Sequence, residues 1–534
     1  MDVPTGGGKE AMVYFIDYDG EILHSYTATK WAGVSALPAN PSHSGLVAQG
    51  WNWTKAQIDA QLLAIPDGDV WVGQMYITDD GKTRLYVHFE EGRTSPYLAL
   101  CPNGTVTVDW GDGSNTDTLT GTNTSTIKSV QHVYQVGDYV ITLTPSDGTE
   151  FAAAIPSGGS VLLSADGQNS NRAYQGAIKK VEIGAGFTSV TVAFNACSNL
   201  ASITIPSGIT SIGSNTFQGC YNLTSITIPS SVTSVGNVAF GGCSSLTSIT
   251  IPSSVASIGN YVFQSCSSLT SITIPSNVTS VGQSAFNNCY NLTSITIPSG
   301  VTSLGDGVFS GCSGLTNIDI PSSVTSIGST AFGGCSSLTS ITIPSGVTSI
   351  GSNTFQNCSG LISIDIPSSV TSIGNYAFQS CFGLTNIDIP SGITSIGSYV
   401  FQSCYSLISI DIPSGVTSIE KFAFQNCYSL ANVTIPSSVA SIGNSAFNYC
   451  NSLAYVRLAS TTPPTLGTNV FAYTASDFKI YVPYSADHSV LEAYQTAPNW
   501  ASYASKMVEE EPQDITMPGE EITVPGEPAY SDGG

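Results

Sequence analysis

The middle of this 534-residue chain lacks positive charge. Between Val181 and Glu420 there is no Lys, Arg or His, and only seven residues are acidic. The whole chain has 14 Lys and Arg against 37 Asp and Glu, which gives a formal net charge of −23 at pH 7. A surface without cations cannot neutralise phosphate groups, so we expect no nucleic-acid partner. No apolar run is long enough to span a bilayer, so we expect no membrane insertion either.

Patterns of catalytic or metal-binding residues are also missing. The central region has no His, Lys or Arg and therefore no ordinary general base for neutral pH. Its many Ser residues have no His with which to form a catalytic triad. We therefore expect no catalytic residue, no cofactor and no enzymatic activity. The five histidines are scattered without metal-ligand spacing: His24, His43, His88, His132 and His488.

Sorting signals are absent from both ends. The N-terminus shows no ordinary signal peptide, and the C-terminus shows no wall-sorting or lipidation motif. Residues 1–11 predict a flexible N-terminus, and residues 508–534 an acidic, Pro- and Gly-rich disordered tail. Few Lys and many Ser, Thr and Gly fit an exterior setting. We expect an extracellular, cell-surface or virion location.

The cysteines are regularly spaced. Twelve of the thirteen fall at a strict 23-residue interval from Cys197 to Cys450, and only Cys101 stands outside. Disulfide frameworks have irregular spacings, and zinc sites need close Cys pairs. A free Cys behaves as a small buried hydrophobe. The spacing therefore predicts a ladder of core thiols.

The same 23-residue interval governs a repeat, of which "LTSITIPSSVTSVGNVAFGGCSS" (Leu223 to Ser245) is one copy. Each copy has a Leu, a short alternating strand ended by Pro, a second short extended piece, and a turn whose Phe and Cys point inward. A coil of this kind covers its apolar side chains only by stacking on its neighbours. The fold class is therefore mainly β, a solenoid of about twelve coils over residues 178–458.

The repeat resembles the BspA-type, or Treponema-type, leucine-rich repeat. The resemblance implies a curved leucine-rich-repeat solenoid, common in bacterial surface proteins that bind host or matrix components. Residues 459–507 are similar to the closing unit of that family. We expect a final turn at Phe471, a strand "KIYVP" and a short amphipathic helix to form a C-terminal cap.

Two modules are predicted before the solenoid. Residues 12–98 are β-rich and begin with a hairpin, "VYFIDYDGEILHSYT", about an Asp-Gly turn. This start resembles a Listeria–Bacteroides repeat. Residues 99–150, with "VTVDWGDGS" and "HVYQVGDYVITLT", look like a PKD domain, which implies an immunoglobulin-like β-sandwich. Residues 151–177 are a connector.

Three carboxylates of the PKD-like module are weak candidates for a calcium site. Ca²⁺ prefers clustered carboxylates, but the Asp112-Gly113 pair is also typical of a simple turn. We favour the turn, so no metal is expected. The candidates are Asp109, Asp112 and Asp117.

The solenoid's variable positions predict its ligand-binding residues. The strand position between two inward Ile residues is Thr in most coils but becomes Asp365, Asp388 and Asp411, about 5 Å apart. Aromatic residues occupy two further positions in the same coils. Exposed aromatics beside carboxylates can bind sugars or basic peptides. Two residues before the Phe stand Tyr376, Tyr399 and Phe422, and directly after the Cys stand Phe382, Tyr405 and Tyr428.

These patterns predict a non-enzymatic, adhesin-like protein that binds a protein or glycan on a cell surface or matrix through coils 360–430. Neutral variation among duplicated repeats would also explain the aromatic and acidic positions, which can lie on different sides of a coil. Two alternative functions stay open. One is a bacteriophage tail-associated receptor-binding or virion decoration protein, in contact with other virion proteins. The other is a purely structural spacer.

Overall fold

The computed structural model describes residues 10–16, 21–39, 41, 46–51, 55–64, 69–78, 80–152, 162–165, 173–184, 186–190 and 193–510. The predicted flexible N-terminus up to residue 9 and the predicted tail from residue 511 lie outside these residues. The fold is mainly β, as expected. Its α-helices are α1 (Ala28–Trp31), α2 (Lys55–Ala64) and α3 (Ser489–Thr496). No helix in the described part of the chain combines the length and the apolar composition needed to cross a membrane.

The first module is a four-stranded sheet with its own core. Its strands β1 (Met12–Ile16), β2 (Ile22–Thr27), β3 (Leu46–Trp51) and β4 (Val70–Thr78) lie in the order β2-β1-β4-β3. The antiparallel pairing of β1 with β2 confirms the expected hairpin, although its Asp-Gly turn lies outside the described residues. The small core includes Phe15, Trp31 and Ile58.

A second, ten-stranded sheet joins the middle of the chain to the solenoid, and we call it the junction sheet. Its long central strand β6 pairs with β8 and β11 through its first half and with β7 and β9 through its second half. The bounds are β5 (Thr83–Phe89), β6 (Tyr97–Asp109), β7 (Asp117–Thr122), β8 (Lys128–Gln131), β9 (Gly137–Pro145), β10 (Glu150–Ala152), β11 (Leu163–Ser164), β12 (Ile178–Glu182), β13 (Phe187–Ser189) and β14 (Ser202–Thr204).

The junction sheet crosses two of the predicted module boundaries. β5 pairs antiparallel with both β9 and β12, so it belongs with residues 99–150 and not with the module before them. A boundary at residues 98/99 is therefore wrong. The predicted connector, 151–177, likewise contains the end of β10 and all of β11. The physical reason is that the open edge of the first coil, at β12, must be paired, and β5 supplies that pairing.

The solenoid stacks its coils in parallel register. Ser225, Ile226 and Thr227, for example, lie opposite Ser248, Ile249 and Thr250. After β14, the first strands of the coils are Ser225–Thr227, Ser248–Thr250, Ser271–Thr273, Ser294–Thr296, Ser340–Thr342, Ser363–Asp365, Asn432–Ile435 and Tyr455–Leu458. The second strands are Ser211–Ile212, Ser234–Val235, Ser303–Leu304, Ser326–Ile327, Ser349–Ile350, Ser372–Ile373, Ser395–Ile396, Ser418–Ile419, Ser441–Ile442 and Thr465–Leu466.

Each coil has the predicted interior. The repeated Leu, Phe and Cys side chains are buried. The Phe rings from Phe194 to Phe471 stack one upon the next with centroids 5.0 to 5.8 Å apart. All thirteen thiols are free and buried, which confirms the core ladder. From Cys220 onward each thiol donates to the carbonyl of the preceding coil's Phe, as Cys220 does to Phe194 at 3.2 Å.

Three coils lack the first strand that every coil was expected to have. They are the coils of Asp319, Asp388 and Asp411, of which only the first and last form a single bridge. All three carry Asp where most coils carry Thr. Asp is depleted in strands, and like charges on neighbouring strands destabilise their pairing. Asp365, beside Thr342, keeps its strand.

The C-terminal end contains the strand and helix expected of the cap. Phe471 stacks on Phe447, and the buried Trp500 donates from Nε1 to the Pro464 carbonyl at 2.7 Å. The strand Lys479–Val482 continues the parallel sheet. A last strand, Met507–Glu509, pairs with it, so a disordered tail beginning at residue 508 is wrong for its first residues. One hydrophobic core runs from Leu85 through every coil to Met507.

Candidate functional site

The nine predicted binding residues form three rows along the solenoid, with one residue per coil in each row. We call Asp365, Asp388 and Asp411 the carboxylate row, Tyr376, Tyr399 and Phe422 the turn row, and Phe382, Tyr405 and Tyr428 the ridge row. The three rows come from successive segments of the coil: the first strand, the turn after the second strand, and the turn after the Cys.

The carboxylate row faces solvent. All three side chains are exposed, while the Ile residues on either side of each are buried or half-buried. This alternation is the period-two pattern of a strand with one buried face. Thr342 donates from its hydroxyl to Asp365 Oδ2 at 3.3 Å. The row therefore presents one carboxylate per coil on an otherwise uncharged Ser, Thr and Asn face.

The ridge row is a stack of three exposed rings. Centroids lie 4.7 Å apart between Phe382 and Tyr405 and 4.8 Å apart between Tyr405 and Tyr428, with interplanar angles of 5° and 14°. Each residue stands in a tight turn that its own Cys opens, as Leu384 N donates to the Cys381 carbonyl at 3.2 Å. This turn leaves Phe382 exposed between two buried residues, Cys381 directly before it and Leu384 two positions after it.

The turn row is a second stack, held in an unfavourable backbone conformation. Tyr376, Tyr399 and Phe422 have φ of 61°, 61° and 59°, and their centroids are 4.7 and 4.8 Å apart. The coils from Asn215 to Asn469 all have a residue with positive φ at this position, because the turn requires it. Six of these twelve residues are Asn, Ser or Gly, and the others outside the turn row are Val238, Tyr261 and Thr330. A bulky residue in this region is strained. Ring stacking offsets that strain in three successive coils.

The structure brings residues together along each row but not between rows. Among the described residues no ring contact joins the turn row to the ridge row, and no hydrogen bond joins either of them to the carboxylate row. Among the described residues, Lys421 is the one cation that lies over a ring of these rows, 5.9 Å from the Tyr399 centroid. The three rows are thus separate stripes on the same coils.

Sequence analysis missed four exposed apolar residues near these rows. Ile362 and Ile408 are 52% and 56% exposed, directly after the buried Leu of their coils. Tyr449 and Tyr473 form a further stack at 4.3 Å, and Tyr449 directly precedes Cys450, two positions before that of the ridge row. The neighbouring Tyr473 hydroxyl is the main cause of the raised pKa of Tyr449. Comparing every position after Leu, and not only the strand, would have found the isoleucines.

The three carboxylates considered as calcium ligands each accept hydrogen bonds from different groups of the protein. Asp109 accepts a hydrogen bond from Gly111 N, and Asp117 accepts one from Trp110 Nε1 at 2.8 Å. Asp112 accepts one from Ser114 N at 3.0 Å and contacts His132 Nε2 at 2.7 Å. Hydrogen bonds from Ser114 and His132 lower the pKa of Asp112 to about 2. No group of three metal-ligating side chains occurs within the described ranges.

A cleft of about 580 Å³ lies where the junction sheet meets the first coils. Its lining includes His88, Arg93, Lys179, Asn199 and Asn222. Asp138 Oδ1 lies 2.8 Å from His88 Nδ1 and 3.5 Å from Lys179 Nζ. The Asn222 amide donates to Asn199, which bonds the Gly176 carbonyl. The cleft's polar groups are therefore mostly engaged with one another.

Comparison with known proteins identifies the repeat. The family profile described as "BspA type Leucine rich repeat region" matches residues 190–316, 307–419 and 371–494, in six copies. No curated protein matches the chain.

Solved structures of bacterial repeat proteins are similar to part of the chain. A leucine-rich repeat protein from Bacteroides ovatus is 30% identical over 57% of this chain and 88% of its own, with a TM-score of 0.43. A leucine rich cell surface protein from Faecalibacterium prausnitzii is 32% identical over 53% and 91%, with a TM-score of 0.34. A leucine-rich repeat protein from T. pallidum is 26% identical over 39% and 85%, with a TM-score of 0.28.

Proposed function

The chain belongs to the BspA-type leucine-rich repeat family, and we propose that it uses this scaffold as a non-enzymatic, adhesin-like binding protein outside the cell. Its ligand is a protein or a glycan on a cell surface or matrix. The contact surface is the part of the solenoid from residue 361 to residue 428.

One observation carries the proposal, the uneven distribution of exposed apolar side chains. Coils 200–358 expose only two large ones, Tyr221 and Tyr290. The short stretch from 361 to 428 exposes five: Ile362, Phe382, Tyr405, Ile408 and Tyr428. Concentrated exposed apolar residues mark interaction sites, whereas scattered single ones need no explanation.

The strained backbone of the turn row supports the same stretch. Six of the twelve coils from Asn215 to Asn469 satisfy the positive φ of this turn with Asn, Ser or Gly, while three successive coils hold Tyr, Tyr and Phe there. Such a conformation costs on the order of 1–2 kcal/mol for an ordinary L-residue. Strain of this kind is concentrated at functional sites. Drift alone would scatter the rings, as at Tyr261, and would not stack three in a row.

Binding of the full chain to arrays of matrix proteins and of glycans tests the proposal. Tyr405→Ser removes the central ring of the ridge row. Tyr290→Ser is the matched control, because Tyr290 is exposed at the same coil position but outside this stretch. We expect Tyr405→Ser to weaken binding to the selected probe about tenfold or more, and Tyr290→Ser to leave it unchanged. Equal effects of the two variants, or no bound probe, would favour the spacer alternative.

A further inference from the structure

We infer that the partner of residues 361–428 is a protein surface that presents basic side chains beside apolar ones, and not a glycan. This inference rests on the proposed function, since it names the chemistry of the ligand for the same surface. It follows from the geometry of the ring stacks and from the charge of the solenoid.

Ring stacking removes the surface that a sugar would need. Tyr405 has a ring on each side, at 4.7 and 4.8 Å and nearly parallel, so both of its faces are turned towards neighbouring rings. Tyr399 in the turn row is enclosed in the same way. Sugars bind aromatic residues by lying against a ring face, and a sugar ring cannot enter a gap of this width. A glycan therefore meets only ring edges and the end faces of each stack.

The groups that remain exposed match a protein partner. The ridge row presents apolar ring edges with the hydroxyls of Tyr405 and Tyr428, and each of its residues is about 40% exposed. Exposed Ile362 and Ile408 add aliphatic surface, which a sugar's hydroxyl groups gain nothing by covering. Tyrosine at the centre of an apolar surface is typical of protein–protein contact sites.

The charge of the coils selects a basic partner. Between residues 183 and 419 the chain has five Asp and no Lys, Arg or His. Three of these carboxylates, the carboxylate row, belong to the same three coils as the ridge row. A ligand with Lys or Arg would neutralise them, whereas an acidic ligand would meet uncompensated repulsion.

Strand pairing is interrupted between the coils of Asp365 and Asp388 and between those of Asp388 and Asp411, whereas Asp365 pairs with Thr342 and Asp411 bridges to Thr434. The coils of Asp388 and Asp411 lack the first strand that most other coils form. Unneutralised carboxylates in successive coils oppose close strand pairing. A bound cation at each carboxylate would remove that repulsion, so we expect a basic partner to increase amide protection in these coils.

Synthetic peptides that alternate Arg or Lys with Leu or Val test the inference on the full chain. The same peptides with Glu in place of the cations are the charge control, and an array of neutral and acidic glycans is the competing probe. We expect binding of the basic peptides only, weakened several-fold from 50 to 300 mM salt. Tyr405→Ser and Asp388→Asn should each lower it about fivefold or more, and Tyr290→Ser should not.

The outcomes separate this inference from the proposed function. A glycan that binds the chain and is lost in Tyr405→Ser, but not in Tyr290→Ser, overturns the basic-protein partner while the proposed surface stands. Equal binding of the Arg and Glu peptides overturns the charge assignment. Failure of every probe to distinguish Tyr405→Ser from Tyr290→Ser overturns both. Far-UV circular dichroism of each variant, compared with that of the native chain, shows that loss of binding is not loss of folding.

Discussion

At the scale of single residues, the repeated cysteine is explained by the space it fills. Cys243 and Cys312 are fully buried, and their thiols donate to the Phe217 and Phe286 carbonyls, each of which also accepts from a backbone N–H. Burial raises the pKa of both thiols to about 12. A thiol held in its protonated form is unreactive. The regular spacing alone was sufficient to predict this role, since a repeated buried residue recurs at the period of the coil.

Because these thiols are buried in their protonated form, we expect the folded protein to lose stability at alkaline pH. A folded-state pKa raised above the ordinary value of 9.0 contributes stability below pH 9, and this contribution is lost as pH rises towards 12. Each buried thiol then lowers the free energy of unfolding by about 1.4 kcal/mol per pH unit. Because the solenoid contains twelve of them, we expect the protein to unfold cooperatively just above pH 9. Far-UV circular dichroism recorded against pH measures this unfolding.

Replacing Cys243, Cys312 and Cys358 by Ala controls for this effect. The triple variant should unfold with a visibly shallower dependence on pH, even though it is less stable at pH 7. An unchanged slope would mean that the thiols are not the titrating groups.

Asp112 predicts a second pH dependence, at the acid end. Its folded-state pKa lies near 2, below the ordinary 3.8, because Ser114 and His132 bond its carboxylate. Its stabilising contribution is therefore present above about pH 4 and is lost as pH falls towards 2. The free energy of unfolding, measured with urea, should fall more over this pH range for the native chain than for Asp112→Asn. Parallel pH curves for the two proteins would contradict the prediction.

At the scale of the element, Asp at the Thr position accompanies loss of the first strand in three of the four coils that carry it, with Asp365 the exception. The coil of Asp388 lacks it, while most coils with Thr at this position have it. We expect Asp388→Thr to restore the pairing and to raise the free energy of unfolding by about 0.5–1 kcal/mol. The gain should shrink at high salt, which screens the repulsion that the variant removes. Urea unfolding at two salt concentrations measures both effects.

Thr273→Asp is the reverse control, because it introduces a carboxylate between two Thr coils. It should destabilise the chain by a smaller amount than Asp388→Thr stabilises it, since Thr273 has no acidic neighbour in the adjacent coils. A stabilising effect of Thr273→Asp would remove electrostatics as the explanation.

Some features of the coils can be predicted from the sequence and others cannot. The inward-facing residues of a coil, such as Leu223, Phe240 and Cys243, are predictable because twelve copies of the repeat place them in the same environment. The stacking of Tyr376 on Tyr399 is not predictable in this way. Their turn has a positive φ, and a Tyr in the sequence does not indicate a positive φ. The pairing of β5 with β12 is equally hidden, since strands almost a hundred residues apart share no local pattern. Pairing of that kind depends on an open edge that only the folded coil creates.

At the scale of the whole molecule, the two cores predict two different effects of truncation. The first module has its own sheet and core, so removing residues 1–78 should leave the thermal unfolding of the remainder nearly unchanged. Removing residues 1–152 also deletes β5, which covers the edge of the first coil at β12. That variant should aggregate and unfold at a lower temperature, because repeat arrays need capped ends. Size-exclusion chromatography and thermal melts compare the two, and equal behaviour would argue against capping by β5.

The uninterrupted core from Leu85 to Met507 has a consequence for how such a protein changes over generations. Each coil contacts only its two neighbours and presents the same interior to both. Recombination between copies of the repeat can therefore insert or delete a whole coil without a new packing problem. Length would change in steps of one coil, about 4.8 Å. The length of the solenoid would thus evolve in fixed increments, independently of the residues that form its binding surface.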